Sequence, residues 1–288
     1  MAQSNVLQSA VYNLEYADNG EIQDAHGQIF DAASYSRMKY GSRRDTERYA
    51  HELVETFTDD ASYIFESEEA PTFLVAFKAV QPACGYLTRY CLDRINRQRV
   101  EGGLEPAEML HVYKNSVTNT DYSTASAEER AAELASIDFS LEGYRLDDRD
   151  VVILDDIRIS GGAEKRILDT LAAEQQTPAS VLLGYIAVFD TAQAATSPHV
   201  ESHINTTAMS GANDLIPLIQ SDAGFDLNIR TLKMILALSE QDLDNVLHAM
   251  TQEQLEVALR GALDTGPDFI QKYKSGYQQL VQYTGDLA

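Results

Sequence analysis

The segment Val151–Ala163 constrains the fold of this 288-residue chain more than any other part of it. It reads Val-Val-Ile-Leu-Asp-Asp-Ile-Arg-Ile-Ser-Gly-Gly-Ala. Four consecutive apolar residues predict a strand that is buried on both faces, as the strands of parallel sheets are. The two glycines and the sequence after them predict a tight turn into a helix. A strand and helix of this kind are typical of an α/β protein with a parallel sheet.

Other elements extend this pattern along the chain. Short apolar runs predict strands, and apolar residues at helical spacing predict helices. Beyond about Ser197 only the helical spacing occurs, and Ser239 and Thr251 precede two of these helices as N-caps. The predicted elements of the first part are strands at Val6–Tyr16, Gln28–Phe30, Phe73–Phe77, Met109–Tyr113, Val151–Leu154 and Val181–Phe189, with helices at about 45–57 and at Glu164–Glu174.

These elements predict two domains. Residues 1–200 are expected to form an α/β core with a Rossmann-like parallel sheet, covered by a small hood from N-terminal or inserted segments. Residues 201–288 are expected to form a helical C-terminal appendage that packs on the core or serves a homodimer.

Net charge and hydropathy limit the partners and the location that are expected for this chain. The formal net charge is -23 at pH 7 and the pI is about 4.5, so nucleic acid is not an expected partner. A local pocket of N–H donors and a few cations would still accept a small phosphorylated ligand. No apolar run approaches the roughly 18–20 residues that a membrane span requires. The N-terminus lacks the basic start and apolar middle of a signal peptide, so the expected location is the cytoplasm.

The polar residues of the segment Val151–Ala163 predict a ligand site. In open α/β sheets, ligands bind beyond the carboxyl ends of the strands. Asp155 and Asp156 follow the apolar run, where carboxylates can accept hydrogen bonds from two sugar hydroxyls or face a hydrated Mg²⁺. Successive N–H groups at a helix start cradle a phosphate, and Ser160 adds a hydroxyl donor. A diol beside a monophosphate describes ribose 5-phosphate.

This pattern resembles the signature of type I phosphoribosyltransferases, which bind 5-phosphoribosyl-1-pyrophosphate (PRPP). The resemblance implies that Asp155 and Asp156 hold the ribose hydroxyls. It also implies that the loop cradles the 5-phosphate. Arg158 departs from the family pattern, and as a hypothesis it supplies a cation for the phosphate or pyrophosphate. Two common hydroxyl residues of the pattern are replaced as well. The residues expected to form the cradle are Ile159, Ser160, Gly161, Gly162 and Ala163.

The resemblance also implies a reaction and further site residues. The reaction would transfer the phosphoribosyl group from Mg²⁺-bound PRPP to a small nitrogenous acceptor. Lys78 follows the Phe73 strand, where the family binds pyrophosphate, and Lys114 begins a polar run to Tyr122 that would close over the reactants. Asp190 follows the next strand and would contact the base or Mg²⁺-bound water. The alternatives are solvent-exposed lysines and an aspartate that caps a turn.

Three segments are similar to one subgroup, the phosphoribosyltransferases found in bacterial tellurite-resistance-type gene clusters. They are Tyr35–Arg44, Tyr122–Arg130 and Asn228–Arg230. Within the first segment, Arg37 and Lys39 would bind phosphate, and a basic surface patch is the alternative.

Two other functions remain open at this point. One is a PRPP or nucleotide sensor without catalysis on the same fold, and the other is an unrelated Rossmann-like protein that does not bind PRPP.

Overall fold

The computed structural model describes residues 5–115, 138–159, 161–197 and 199–286. Its strands are β1 (Asn5–Tyr16), β2 (Ile22–Asp24), β3 (Thr72–Phe77), β4 (Glu108–Lys114), β5 (Phe139–Ser140), β6 (Asp150–Arg158) and β7 (Ser180–Phe189). Within the described residues they form one sheet with the order β2-β1-β7-β6-β3-β4-β5. The five inner strands are parallel, whereas β2 and β5 pair antiparallel at the two edges. The predicted α/β class with a mainly parallel sheet is therefore confirmed.

Along the chain, helices lie between the strands as far as β7, and further helices follow β7. Those before β7 are α1 (Ala32–Lys39), α2 (Arg43–Asp60), α3 (Tyr63–Glu66), α4 (Ala83–Glu101) and α5 (Gly162–Ala173). Those after β7 are α6 (Thr191–Thr196), α7 (Val200–Thr206), α8 (Ala212–Ile219), α9 (Ile229–Leu236), α10 (Glu240–Ala249), α11 (Gln252–Thr265), α12 (Pro267–Lys272) and α13 (Lys274–Asp286).

The predicted helical C-terminal region is confirmed, together with its N-caps. The Ser239 side chain accepts the backbone N–H of Asp242 at the start of α10. Thr251 and Gln254 form a reciprocal capping box at the start of α11, which satisfies two backbone donors of that helix end.

The described residues divide into two compact units. The first lies within Met1–Phe30, Glu47–Phe77 and Cys84–Ser202 and contains the sheet. The second lies within Asp31–Thr46, Lys78–Ala83 and His203–Ala288, and its core is built from apolar residues of the C-terminal helices. The predicted domains, residues 1–200 and 201–288, and the predicted hood stay predictions.

The two faces of β6 and β7 are covered by different helices. Odd-numbered residues such as Val151, Ile153 and Leu183 share one apolar cluster with Leu171 of α5. The even-numbered face carries Leu154 and Gly184, and Phe57 of α2 packs there. In the middle of β6 and β7, the two faces of the sheet are therefore covered by α5 and α2.

Two strands differ from their predicted bounds. The sequence predicted that β6 ends at Leu154, but it continues to Arg158 because β7 provides ladder partners as far as Val188. The predicted strand Gln28–Phe30 is not formed. Instead, β2 pairs with the end of β1, and Ile29 makes only an isolated bridge to Gln23.

Candidate functional site

The loop between β6 and α5 ends in a glycine with a left-handed backbone. Gly161 has a φ of 70° and is the N-cap of α5, a conformation that favours glycine. The first helical hydrogen bond runs from the Lys165 N–H to the Gly161 carbonyl at 3.0 Å. The N–H groups of Gly162, Ala163 and Glu164 precede it, so they have no acceptor within the helix. A helix start of this kind suits an anion such as a phosphate. Ser160 lies outside the described residues.

Two adjacent carboxylates lie in the last part of β6. Asp155 pairs in register with Tyr185 of β7, on the face that α5 covers. Asp156 is only 6% exposed. The Asp155 Oδ1 accepts the Asp156 N–H at 2.9 Å, and the Asp156 Oδ1 accepts the Ile157 N–H at 2.8 Å. Asp155 therefore shares a face of the sheet with the helix that begins at the loop. The joint contact of both carboxylates with one sugar stays a prediction.

Arg158 joins the end of β6 to the start of α5. Its Nε donates to the Glu164 Oε2 at 2.7 Å. The Tyr185 hydroxyl donates to the same carboxylate oxygen at 2.9 Å. The guanidinium lies over Gly161, where a Cβ would be 2.9 Å from its Nη2. Strand, helix and neighbouring strand thus contribute one side chain each to a polar cluster beside the loop.

The environment of Tyr185 keeps its hydroxyl protonated. Burial raises the pKa of Tyr185, and the charge of Glu164, the hydrogen bond to it and the charge of Asp155 raise the pKa further. A phenol of this kind remains a hydrogen-bond donor throughout the ordinary pH range. The sequence pattern did not indicate Tyr185 or Glu164 as site residues. The position of Glu164, three residues after Gly161, could have indicated its role. Tyr185 is recognisable only once the β6–β7 register is known.

The site fits Mg²⁺ that is carried by a phosphorylated ligand. Mg²⁺ is commonly held by one or two carboxylates together with substrate phosphates and water. Asp155 supplies such a carboxylate on the face of the sheet that α5 covers. Across the parts of the chain that the structure describes, no three His, Cys, Asp or Glu side chains group as a protein-built metal site.

An open cleft borders the carboxyl end of β1. Its volume is about 660 Å³, and β1 is parallel to β7, so this end lies on the same edge of the sheet as the end of β6. Carboxylate and amide oxygens of this lining accept hydrogen bonds from amino groups. The polar residues that line it include Glu15, Asp18, Asn19, Glu21, Gln23 and Gln193.

Comparison with known proteins identifies the family. A model of the family described as PRTase ComF-like matches residues 17–280, most of the chain. This chain belongs to the PRTase ComF-like family. PRTase stands for phosphoribosyltransferase, so the predicted membership of the phosphoribosyltransferase family is confirmed. A search of curated proteins found no match.

Several solved phosphoribosyltransferases are similar to this family member over about half of its length. The hypoxanthine-guanine enzyme of L. donovani is 13% identical over 51% of this chain and 70% of its own, with a TM-score of 0.33. The hypoxanthine enzyme of Staphylococcus aureus is 13% identical over 51% and 74%, with a TM-score of 0.34. A Trypanosoma cruzi variant, solved with the product IMP, is 10% identical over 51% and 75%, with a TM-score of 0.33. Because these scores are low, the family assignment rests on the sequence match.

The two lysines predicted for the site lie at different places in this PRTase ComF-like chain. Lys114 is the last residue of β4 and pairs in register with Phe139 of β5, and β3 separates its strand from β6. The polar run from residue 116 to Tyr122 lies outside the described residues. Lys78 directly follows β3 and belongs to the second unit, so its role at a pyrophosphate stays a prediction.

Asp190 caps a helix, as its alternative interpretation predicted. Its carboxylate accepts the Gln193 N–H at 2.8 Å at the start of α6. A contact with a base or with Mg²⁺-bound water stays a prediction.

Arg37 and Lys39 belong to the second unit, and they differ in exposure. Arg37 donates from Nε and Nη2 to the two oxygens of Asp45, at 2.9 and 3.2 Å. Lys39 is only 7% exposed, with its Nζ 5.9 Å from the centre of the Tyr35 ring. The alternative of a basic surface patch is therefore wrong for Lys39, because its side chain is buried. Phosphate binding by either residue stays a prediction.

Two segments that carried the subgroup resemblance meet in the second unit. The Asn228 Nδ2 donates to the Lys39 carbonyl at 3.1 Å, and the Thr231 Oγ1 donates to the Tyr40 carbonyl at 2.8 Å. The Arg43 Nη2 pairs with a carboxylate oxygen of Asp226 at 2.9 Å. The first and third segments of that resemblance therefore form one buried polar contact.

No helix in the described part of the chain is both long and apolar enough to cross a membrane.

Proposed function

We propose that this protein binds PRPP at the loop between β6 and α5 and transfers its 5-phosphoribosyl group to a nitrogen nucleophile. The observation that carries the proposal is the start of α5. Gly161 opens this helix in a left-handed conformation, with the Arg158 guanidinium over it and Asp155 on the sheet face that the helix covers. Membership of the PRTase ComF-like family supports the same reaction class.

The start of α5 binds the 5-phosphate. Backbone N–H groups from Gly162 to Glu164 donate to the phosphate oxygens, and the positive end of the helix dipole favours the anion. Arg158 adds cationic donors beside the loop, which compensates for the absence of hydroxyl groups at Ile159 and Ala163.

The carboxylates act on the sugar. Asp155 and Asp156 accept hydrogen bonds from the ribose hydroxyls, which fixes the orientation of the anomeric carbon. Asp156 also accepts the Ile157 N–H, which shapes the end of β6.

The reaction is a substitution at the anomeric carbon of ribose. The bond from this carbon to the pyrophosphate oxygen breaks while the nitrogen lone pair of the acceptor forms the new bond, and the acceptor nitrogen then loses its proton to water. Mg²⁺ carried by PRPP and facing Asp155 would supply charge neutralisation for the departing pyrophosphate. Lys78 and Lys114 are proposed to add positive charge near the leaving group. Catalysis then rests on positioning and electrostatic stabilisation.

One observation favours a second candidate, a PRPP sensor without catalysis. The loop has Ile159 and Ala163 where the type I signature commonly has hydroxyl residues, so the pocket is better supported than the transfer step. Binding without pyrophosphate release is the result that this second candidate requires.

Binding and turnover are measured separately to test the proposal. Thermal denaturation with Mg²⁺ and PRPP should show ligand stabilisation of the full chain. Pyrophosphate release with a panel of nucleobases should then identify an acceptor. Absence of stabilisation by PRPP would overturn the proposal. Stabilisation without release from any base would favour the sensor.

Variants of the two carboxylates assign the activity to this site. The double variant Asp155→Asn and Asp156→Asn should abolish pyrophosphate release while the far-UV circular dichroism spectrum stays that of the wild type. The matched control is Asp93→Asn, at an exposed position of α4, which should leave release unchanged. Turnover at the wild-type rate in the double variant would contradict the assignment.

Several finer properties belong to the same proposal. The acceptor is a small nitrogenous heterocycle, the protein acts in the cytoplasm as a homodimer, and nucleic acid is not a partner. The proposed subgroup is the one found in tellurite-resistance-type gene clusters, on the resemblance of Tyr35–Arg44, Tyr122–Arg130 and Asn228–Arg230.

A further inference from the structure

Glu164 holds two donors on a single carboxylate oxygen. The Arg158 Nε and the Tyr185 hydroxyl both donate to its Oε2, at 2.7 and 2.9 Å. The Tyr185 residue is 4% exposed, and the side chains of Arg158 and Glu164 are 24% and 20% exposed. The hydrogen bond from the buried Tyr185 phenol fixes the position of the Glu164 carboxylate. The Glu164 carboxylate therefore sets the position of the Arg158 guanidinium.

This contact uses only the inner edge of the guanidinium. A guanidinium has five N–H donors, and the bond from Nε uses one of them. The Nη2 of Arg158 lies over Gly161, so close that a Cβ there would be 2.9 Å away. The Glu164 contact thus directs the outer nitrogens of Arg158 across the residue that opens α5. Without an acceptor at Nε, this long side chain would gain several rotamers in solvent.

We infer that Glu164 is a positioning residue that holds Arg158 as a cation for the 5-phosphate of the ligand, with Tyr185 holding Glu164 in turn. This inference rests on the proposed function of the same loop. It accounts for a chain that lacks hydroxyl groups at Ile159 and Ala163 but has an arginine at the end of β6. It also explains why a carboxylate, Glu164, lies in the first turn of a helix whose start binds an anion. Glu164 acts there through Arg158.

The charges of the cluster agree with this role. Arg158 offsets the charge of Glu164 at close range, so the Glu164 carboxylate adds little repulsion toward an incoming phosphate. Burial, together with the charge and hydrogen bond of Glu164, raises the pKa of Tyr185, which keeps the phenol a donor.

Binding to three probes tests the inference in the full chain by isothermal titration calorimetry. The probes are PRPP, ribose 5-phosphate and inorganic pyrophosphate. Glu164→Ala should weaken PRPP and ribose 5-phosphate about tenfold or more, as loss of a charge-assisted hydrogen bond to phosphate does. Pyrophosphate binding should stay within about twofold of the wild type, because Arg158 faces the 5-phosphate. Equal weakening of all three probes would overturn the inference.

A double-mutant cycle separates positioning from a general structural role. Arg158→Ala should weaken ribose 5-phosphate as much as Glu164→Ala does. The double variant should bind no more weakly than Arg158→Ala alone, because Glu164 acts through Arg158. Additive losses, or tighter binding by Glu164→Ala, would overturn the inference.

Conservative variants keep the test decisive if Glu164→Ala does not fold. Glu164→Gln retains an oxygen that accepts from both donors, so its affinity for ribose 5-phosphate should stay within about threefold of the wild type. Tyr185→Phe removes one of the two donors and should give an intermediate loss. The control is Asp169→Ala, an exposed carboxylate of α5 paired with Lys165, which should change nothing. If the wild-type protein binds none of the three probes, the proposed function itself is refuted. Unexpected behaviour of the variants would refute only the role inferred for Glu164.

Discussion

Phe57 of α2 packs directly on the backbone of Gly184 in the middle of β7. A Cβ atom at Gly184 would lie 2.7 Å from the Phe57 Cζ and 2.6 Å from the Leu154 Cδ2. Phe57 is fully buried, and Gly184 pairs with Leu154 in the β6–β7 ladder. The close approach of α2 to the two central strands therefore depends on the missing side chain.

Gly184→Ala is expected to destabilise the protein. The added methyl has no space, so Phe57 or the strand must shift, and overpacking of this kind costs about 1–3 kcal/mol. The measurement is the free energy of unfolding from urea denaturation. Gly102→Ala is the control, because a Cβ there makes only ordinary contacts, of 3.4 Å, with backbone oxygens. Equal stability of the two variants would show that α2 does not approach β7 so closely.

Arg99 is a buried cation that binds three backbone carbonyls. It is 0% exposed, and it donates to the carbonyls of Glu105, Ile64 and Ser67 at 2.8, 2.9 and 3.0 Å. Arg99→Ala leaves these acceptors without their donor and opens a cavity, so a loss of about 3–5 kcal/mol in the free energy of unfolding is expected. Denaturation by urea measures it. Arg97→Ala, at an exposed position two residues earlier, should cost less than about 0.5 kcal/mol.

Asp45 makes the stability of the protein sensitive to acid. Burial raises the pKa of Asp45, but hydrogen bonds from Arg37, Ser34 and Ser42 outweigh this effect and leave the pKa below its ordinary value. The carboxylate therefore stabilises the folded state above the unfolded pKa of about 3.9, and this contribution is lost as the pH falls through the folded pKa.

The variant Asp45→Asn tests this pH dependence. At pH 7 we expect the free energy of unfolding to fall by about 2–3 kcal/mol, since hydrogen bonds to a charged group are lost. Between about pH 5 and pH 2 the variant should lose less further stability than the wild type. Asp59→Asn, at an exposed position of α2, is the control and should follow the wild-type curve. Parallel pH curves for Asp45→Asn and the wild type would contradict the prediction.

The sequence predicted the parts of the fold that depend on local pattern. The apolar run at Val151 and the glycine turn at Gly161 identified a strand, a loop and a helix start, because their spacing alone requires them. The pairing that extends β6 to Arg158 involves a strand about thirty residues away, so its end was not predicted. For the same reason Tyr185 was missed as a partner of Glu164. The contact between Lys39 and Asn228 crosses most of the chain, and a single sequence contains no signal for such a pairing.

Gly276 and Gly285 lie in the same helix, α13, but should respond differently to the same substitution. A Cβ at Gly276 would collide with the backbone carbonyl oxygen of Leu236 at the end of α9, whereas a Cβ at Gly285 has no described atom within 4 Å. Alanine is favoured over glycine inside a helix by about 1 kcal/mol. Gly285→Ala is therefore expected to be neutral or slightly stabilising.

Gly276→Ala should instead lower the free energy of unfolding by about 1–3 kcal/mol, because backbone cannot yield as a flexible side chain does. Amide hydrogen exchange provides a local measurement, since faster exchange should concentrate in α9 and α13 when their contact is forced apart. Both variants place an alanine in α13, so the difference between them reports the close contact with α9. If both substitutions stabilise the protein equally, that close contact does not exist in solution.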